Sequence, residues 1–530
     1  MATGTPYKTA QLGEQWDAIV IGSGMGGLTT AVLLARHAGQ RVLVLERHYT
    51  AGGCTHTFHR PGFEWDIGLH YIGQMHRSEA VRRAFDHVTG RAVQWNAMPA
   101  VYDRVSIAGQ RYDFPAGAEN LRARLVEWFP AEVRAIDLYL KAVENSNHSS
   151  MYYYAEKALP PWLSPFMGRS LRGAHLHWAS KTTRQMLEGF HASPELIGVL
   201  TAQWGDYGLP PAQSSFAVHA TIVGHYLNGA AYPVGGASVI AAAMAPIIEQ
   251  AGGAVVIDAA VESIVCERGR AVGVRMADGR EFRARHIVSD AGARTTLDRL
   301  LPADLAVVQK LRARLQKLPP SCAHLSLYVG LSQDDMALET NPANLWVYPS
   351  FDHDSNAARF EQDLDAPLPL VYLSFPSAKD PDFARRHPGK STMEAITLVP
   401  YAPFARWQDT HWKHRGDAYE SLKAALAARL RAVLEEQVPT AQNHIEHAEL
   451  STPLSTRHFL NQSHGEIYGL AATPQRYKLR QLGARTPVRS LYLTGQDVAT
   501  AGVAGALFGG VIAASVVLGK NLMTKVVRES

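Results

Sequence analysis

Four metal-binding side chains, His48, Cys54, His56 and His59, fall within the short stretch ERHYTAGGCTHTFH (46–59), around the pair Gly52-Gly53. Imidazoles and a thiolate at such spacing could hold zinc. The glycine pair points elsewhere, because residues without a β-carbon serve where backbone must come close to a ligand or to another segment. Upstream, Gly22-Ser23-Gly24-Met25-Gly26-Gly27 fits G-x-G-x-x-G. In that fingerprint the first glycine makes a tight turn, the second admits a pyrophosphate, the third lets helix pack on strand, and the helix N-terminus favours the phosphate charge. Glu46 follows the last glycine by about 20 residues, the place of a carboxylate that accepts hydrogen bonds from ribose hydroxyls. A carboxylate there favours FAD or NAD over NADP, an exclusion softened by Arg47 beside it. Gly52-Gly53 then reads as a second approach to pyrophosphate, the histidines as lining of that loop, and no metal is expected.

These residues need a strand, helix, strand frame. DAIVIG (17–22) is a short β-branched run ending in glycine, the following segment has apolar residues at helical spacing, and RVLVLE (41–46) is a second apolar run. The pattern predicts a βαβ unit with a parallel sheet and a right-handed crossover. Short strands return at 254–292, and SLYLTGQD (490–497) supplies a last one before an apolar helix. Between these blocks, 76–230 and 311–484 are richer in aromatics, prolines and irregular loops. The expected class is α/β: a Rossmann-like FAD-binding domain built from 1–75, 231–310 and 485–530, interleaved with a substrate-binding domain of 76–230 and 311–484. A chain of 530 residues exceeds the size of a single hydrophobic core.

The formal charge of +4, from 52 basic against 48 acidic residues, gives no reason to expect nucleic acid. Three scattered cysteines, Cys54, Cys266 and Cys322, fit reduced thiols. The polar opening MATGTPYKTAQLGEQW lacks an apolar run, which predicts a cytoplasmic chain. VATAGVAGALFGGVIAASVVLG (498–519) carries no charge and is long enough to span a bilayer, but its glycines and alanines and its position after a strand favour a helix buried against sheet and ligand. ALPPWLSPFMG (158–168) has the composition of a lid over a greasy tunnel or of a membrane-dipping segment, and equally of ordinary core.

HYTAGGCTHTF followed by FEWDIGLHYIG (63–73), with YPVGGASVI (232–240), VESI (261–264), SDAG (289–292) and LYLTGQDVATAGVAGAL (491–507), resembles the phytoene desaturase, carotenoid isomerase and retinol saturase family of FAD enzymes, most of all its retinol saturase branch. The family is related to amine oxidases. The resemblance implies that the backbone at Val261 meets adenine, that Gly495 and Asp497 lie near the ribityl and phosphate groups, and that a helix N-terminus at Gly502 and Val503 faces the flavin. It also places His70 near the flavin, where its ordinary pKa suits acid–base work. Tyr71 is a second proton donor candidate, and Asp66 an organiser of the loop.

The implied reaction is saturation, desaturation or isomerisation of a C=C bond in a long apolar lipid, a retinoid, carotenoid or other isoprenoid. No second G-x-G-x-x-G follows a strand, so electrons are expected through an external donor or acceptor, a quinone, oxygen or a diffusing reductant. Peripheral membrane contact on the cytosolic face is expected from substrate insolubility. Two other readings share the fingerprint: a flavin enzyme acting on an unsaturated fatty acid or an amine, and a redox-inactive prenyl-lipid carrier resembling Rab GDP dissociation inhibitor.

Overall fold

The computed structural model describes residues 2–158 and 164–528. The centre of the apolar stretch read at 158–168 therefore lies outside the described residues. Strands Gln15–Ile21 and Val42–Leu45 pair in parallel, flanked by Ala254–Ile257 on one side and Glu281–Ser289 on the other. Leu491–Leu493 adds to Glu281–Ser289 in parallel, and Arg270–Met276 and Val261–Glu267 extend the sheet antiparallel. Side chains alternate as a strand's two-residue period demands. Ala18, Val20, Val42 and Val44 enter the core under helices Met25–Ala38, Ser238–Gln250 and Gly502–Leu518, whereas Ile19, Ile21, Leu43 and Leu45 enter the core on the opposite face. With both faces covered, the central strands carry almost no polar residue, as parallel sheets require.

Register matters for function. Ile21 lies opposite Leu45, and Ser289 opposite both Ile21 and Leu493. The residues that follow each strand, Gly22, Glu46, Asp290 and Thr494, therefore emerge side by side along one edge. Outside the carboxyl ends of parallel strands is where such sheets bind ligands.

The apolar segment near the C-terminus forms the helix Gly502–Leu518, packed along Met25–Ala38. A β-carbon on Gly509 would come 2.2 Å from the Gly495 carbonyl oxygen, and one on Gly510 would come 2.7 Å from that of Gly26. The composition that mimics a membrane span is what lets two helices and a strand end touch backbone to backbone. Among the described residues no helix is long and apolar enough to cross a membrane.

The second sheet has seven strands in the order Ile445–Ser451, Ala323–Leu331, Ser391–Val399, Val371–Ser374, Asn344–Tyr348, Val101–Ile107 and Gln110–Pro115. Helix Asp417–Gln437 packs on one face. Helices Val133–Ala158 and Phe216–Tyr226 belong to the aromatic core on the other. One segment assigned from sequence texture to the substrate region, and a helix that the expected boundary at 310 cuts in two, pack with the nucleotide-binding elements. Helix Ala80–Thr89 buries Val81, Ala84, Phe85 and Val88 beside Ser238–Gln250, and Ala306–Leu315 buries Val308, Leu311 and Leu315 against the opposite face. Both are amphipathic helices, and their apolar stripes follow the nearest uncovered sheet face, which local composition does not reveal.

Candidate active site

A continuous cavity of about 920 Å³ runs from the strand edge of the first sheet to the inner face of the second. Its first arm is lined by Gly22, Gly24, Met25, Glu46, Gly52, Gly53, Val261, Gly495, Asp497, Gly502 and Val503, all read from sequence as cofactor contacts. Each reaches the wall by a distinct route. Glu46, at the end of its strand, accepts from the Ser23 backbone N–H at 2.9 Å and hydroxyl at 2.7 Å, and from the His48 N–H at 2.7 Å, which fixes the carboxylate in place. Asp497 accepts from the Ala293 and Leu470 N–H groups at 2.8 and 3.0 Å, tying the last strand's loop to the neighbouring strand end. Gly53, with φ +56°, brings its loop so close to the fingerprint that a β-carbon there would sit 2.8 Å from Gly24 Cα.

Ser23, Gly26 and Gly27 lie behind this wall; for Ser23 and Gly26 this departs from the reading as cofactor contacts, and for Gly27 it is the packing expected of the third glycine. Ser23 is buried; besides its bonds to Glu46, its hydroxyl accepts from the Gly52 N–H at 3.1 Å. A β-carbon on Gly26 would meet the Gly495 backbone at 2.5 Å, and one on Gly27 the Gly22 carbonyl oxygen at 2.3 Å, so these two glycines serve packing. Arg47 borders the cavity, but its guanidinium donates to the carbonyls of His458 and Phe459, the end of helix Pro453–Leu460. It is spent on a helix C-terminus, where cations stabilise the dipole.

The residues present fit a dinucleotide. Two helix N-termini, at Met25 and Gly502, open on one crevice whose walls are backbone, with a carboxylate at the ribose end. Sequence reasoning missed several members of this wall, and the chemically distinct one is Asp290. Asp290 lines the crevice, and β-carbons on Gly24, Gly26 and Gly495 would each come within 2.7 Å of its carboxyl oxygens. Burial pushes its pKa up to about 7, against the pull of backbone N–H groups of Gly27 and Gly24 and with a further push from Glu46 and Asp497.

Two of the three opening histidines, His48 and His56, are packed side chains. His48 packs among Tyr49, His56 and Phe459, and burial pulls both His48 and His56 down to about 4. Burial also pushes the Cys54 thiol up to about 11, the setting of an unreactive cysteine.

The second arm is walled by Trp346, Leu370, Tyr372, Ile396 and Leu398 of the second sheet, with His70 and Asp206 at its rim. His70 reaches the cavity, as read from sequence, but its Nδ1 has no hydrogen-bond partner among the described residues and lies 4.0 Å from Glu394. Burial and the neighbouring Lys379 ammonium pull its pKa to about 3, so the ring is neutral near pH 7. Tyr71 lies just behind the wall, stacked on Tyr226 at 4.1 Å, its hydroxyl between Asp103 and Asp206. Asp66 is buried away from the cavity and accepts from the Ala237 N–H at 2.9 Å and from the Tyr232 hydroxyl; it holds the Gly235-Gly236 turn.

Beneath this arm runs a buried polar group that no motif announced: Asp103, Asn344, Lys379 and Glu394, each at most 1% exposed. The only sequence sign is polar residues inside runs that otherwise read as buried strand, such as Glu394 in STMEAITLV.

Residues 20–88 match the family model of an NAD(P)-binding Rossmann-like domain. Over 97% of its length the chain is 34% identical to the all-trans-retinol 13,14-reductase of Danio rerio, covering 88% of that protein. Prolycopene isomerase 1 of an Oncidium hybrid cultivar is 27% identical over 94% of this chain and 83% of its own. Among solved structures, an oxidoreductase from Methanosarcina mazei superposes with a TM-score of 0.64 at 16% identity, over 95% of this chain and all of that one, and putrescine oxidase bound to putrescine with 0.61 at 16%. These two share the fold. On the first relationship, and with its glycine fingerprint and crevice in place, the chain belongs to the family of the all-trans-retinol 13,14-reductases and is an oxidoreductase of that type.

Proposed function

We propose that this chain binds FAD in the glycine-walled arm and adds hydrogen across a carbon–carbon double bond of a long apolar isoprenoid lipid held in the other. The continuity of the two arms carries this reading: a dinucleotide crevice opens, within one cavity, onto a wall of aliphatic and aromatic side chains. Bound in the crevice, FAD supplies reversible hydride transfer. The protein's share is to hold, orient and dry the site. Glu46 is set for the ribose, and the N-termini at Met25 and Gly502 for negative charge. Trp346, Leu370 and Tyr372 give an extended hydrocarbon surface on which to lie. The relatives named for retinol and prolycopene support a polyene as the substrate class.

The electron source is a diffusing two-electron donor, since the sequence carries one dinucleotide fingerprint. Cytoplasmic residence with peripheral contact to a membrane face belongs to the same proposal. Met151 and Tyr152, 60% and 45% exposed on helix Val133–Ala158, offer apolar surface to a bilayer, and absence of binding to liposomes would remove this part.

The test is anaerobic reduction of the reconstituted protein followed by rapid mixing with retinoids, carotenoids, unsaturated fatty acids or quinones. Reoxidation coupled to loss of a double bond in an isoprenoid is the expected result. Reduction of the oxidised protein by amines would establish the amine oxidase reading instead, and a protein that stays colourless with FAD would sink both.

A further inference from the structure

We infer that Asp206 is the catalytic acid that delivers the proton to the substrate carbon next to the one receiving hydride, with Tyr71 and Asp103 as its positioning residues. The inference rests on the reduction proposed above and goes beyond it by naming the proton donor.

Tyr71 Oη lies 3.0 Å from Asp103 Oδ2 and 2.9 Å from Asp206 Oδ2. A phenol has one hydrogen to give. Two carboxylates cannot both accept it, so one of the two acids must carry a proton and donate to the tyrosine oxygen.

The neighbours decide which. Lys379 Nζ has three partners, the His70 carbonyl at 3.0 Å, the Ser374 hydroxyl at 2.8 Å and Asn344 Oδ1. An ammonium only donates, so the Asn344 oxygen faces the lysine and its amide N–H faces Asp103, at 2.8 Å. Gln203 Nε2 donates to Asp103 as well, at 2.7 Å. Asp103 thus receives two amide N–H groups besides Tyr71 and sits near a buried cation, the surroundings of a carboxylate. For the Asp206 side chain, Tyr71 is the one hydrogen-bond partner found among the described residues. The proton belongs on Asp206, donated to Tyr71 Oη, while Tyr71 donates to Asp103. The groups that face it, Tyr71, Asp103, Tyr226, Tyr468 and the more distant Lys379, leave burial as the largest influence and Asp103 as the next. Both hold the Asp206 carboxyl well above the usual carboxylate range.

Position completes the case. Asp206 closes the short turn Trp204–Asp206 and lines the cavity, whereas Asp103 is fully buried behind it. The Tyr468 hydroxyl donates to the Gly205 carbonyl at 3.2 Å, and Gly469 packs on Asp497 of the dinucleotide wall. One tyrosine side chain therefore separates the Asp206 turn from the crevice. Among the side chains at the rim, His70 is neutral and Asp206 is the acid.

The step balances. The π bond breaks. One carbon gains hydride from the reduced flavin of the proposed reaction, its neighbour gains the Asp206 proton, and a carboxylate remains. The Tyr71 hydrogen can then swing from Asp103 to Asp206 and bond the new anion. Water entering as product leaves restores the proton.

The test uses the FAD-reconstituted protein, reduced with dithionite, with all-trans-retinol as probe. Asp206→Asn should lower kcat about 10²-fold or more, the usual contribution of a positioned general acid. Retinol affinity and flavin content should stay within about threefold of wild type, and the alkaline limb of the kcat profile should vanish. Asp206→Glu should recover part of the rate, and Tyr71→Phe should move that limb while leaving the acid in place. Without any flavin turnover, the infrared C=O stretch of a protonated carboxylic acid should be present in wild type and diminished in Asp206→Asn. Wild-type turnover with an Asp206→Asn rate within threefold, or a change confined to KM for the alcohol and absent for a hydrocarbon polyene, overturns the assignment. Wild type that binds retinol but reduces no polyene overturns the functional reading, and the assignment with it.

Discussion

The two arms of the cavity are built on opposite principles. The dinucleotide arm is made of backbone: strand ends in register, helix N-termini and glycines in van der Waals contact, with Glu46 and Asp497 pinned by neighbouring N–H groups. The second arm, proposed to hold the lipid, presents an apolar surface but rests on buried titratable side chains, with Asp103, Lys379 and Glu394 almost entirely removed from solvent. In the first arm the buried carboxylates are held by backbone N–H groups, which offset their desolvation. Beneath the second arm the titratable side chains hold one another, and the desolvation cost falls on that buried cluster.

The largest effect is expected at Lys379. It is the cation among Glu394, Asp103, Asp66 and Asp206, and burial pulls its pKa down to about 7. Lys379→Met leaves acids without a counter-charge and should cost about 3–5 kcal/mol in urea unfolding at neutral pH. A loss below about 1 kcal/mol would mean the cluster is neutral as a whole.

On the other arm the sensitive points are glycines. Gly26→Val pushes a branched side chain into the Gly495 backbone, with no flexible atom to give way. Overpacking of this kind costs about 1–3 kcal/mol. Because it separates the first helix from the last strand's loop, the purified variant should also lose bound flavin, read from the visible absorbance per chain.

A smaller effect sharpens the contrast, because Asp290 is an acid placed inside the backbone-walled arm. A diphosphate and an ionised Asp290 would repel each other in one crevice. FAD affinity, followed by flavin fluorescence, should hold constant below pH 7 and fall above the residue's pKa of about 7 by up to about tenfold per pH unit. Asp290→Asn should flatten the curve. A wild-type affinity unchanged between pH 6 and 9 would show that the carboxyl does not sense the phosphates.

The smallest effect belongs to Arg47, which stands in the fingerprint loop yet serves the other domain. Arg47→Ala should cost about 1 kcal/mol of stability, from two lost charge-assisted bonds at a partly exposed helix end, and leave FAD affinity within threefold. A larger drop in affinity would return Arg47 to the cofactor site.

What can be read in the chain alone is the first half of the dinucleotide arm, because that half is local; Asp290, Gly495, Asp497 and Gly502 reach the same wall from distant segments. A strand, three glycines, a helix and an acid spaced by one crossover are neighbours in the chain, and their chemistry follows from lacking a β-carbon or ending a strand. Even there, which glycines face the ligand and which face each other was not legible, since Gly24 and Gly26 differ only in what packs beside them. Tertiary structure alone decided the lipid arm. Tyr71, Asp103, Asp206, Asn344, Lys379 and Glu394 come from six separate segments; Tyr71 stands beside His70 in a recognisable motif, and the other five have no neighbour in sequence that marks them. Only folding, which strips water from them together, makes one a proton donor and another its counter-charge. A residue's acidity is a property of its surroundings, and the chain order does not contain them.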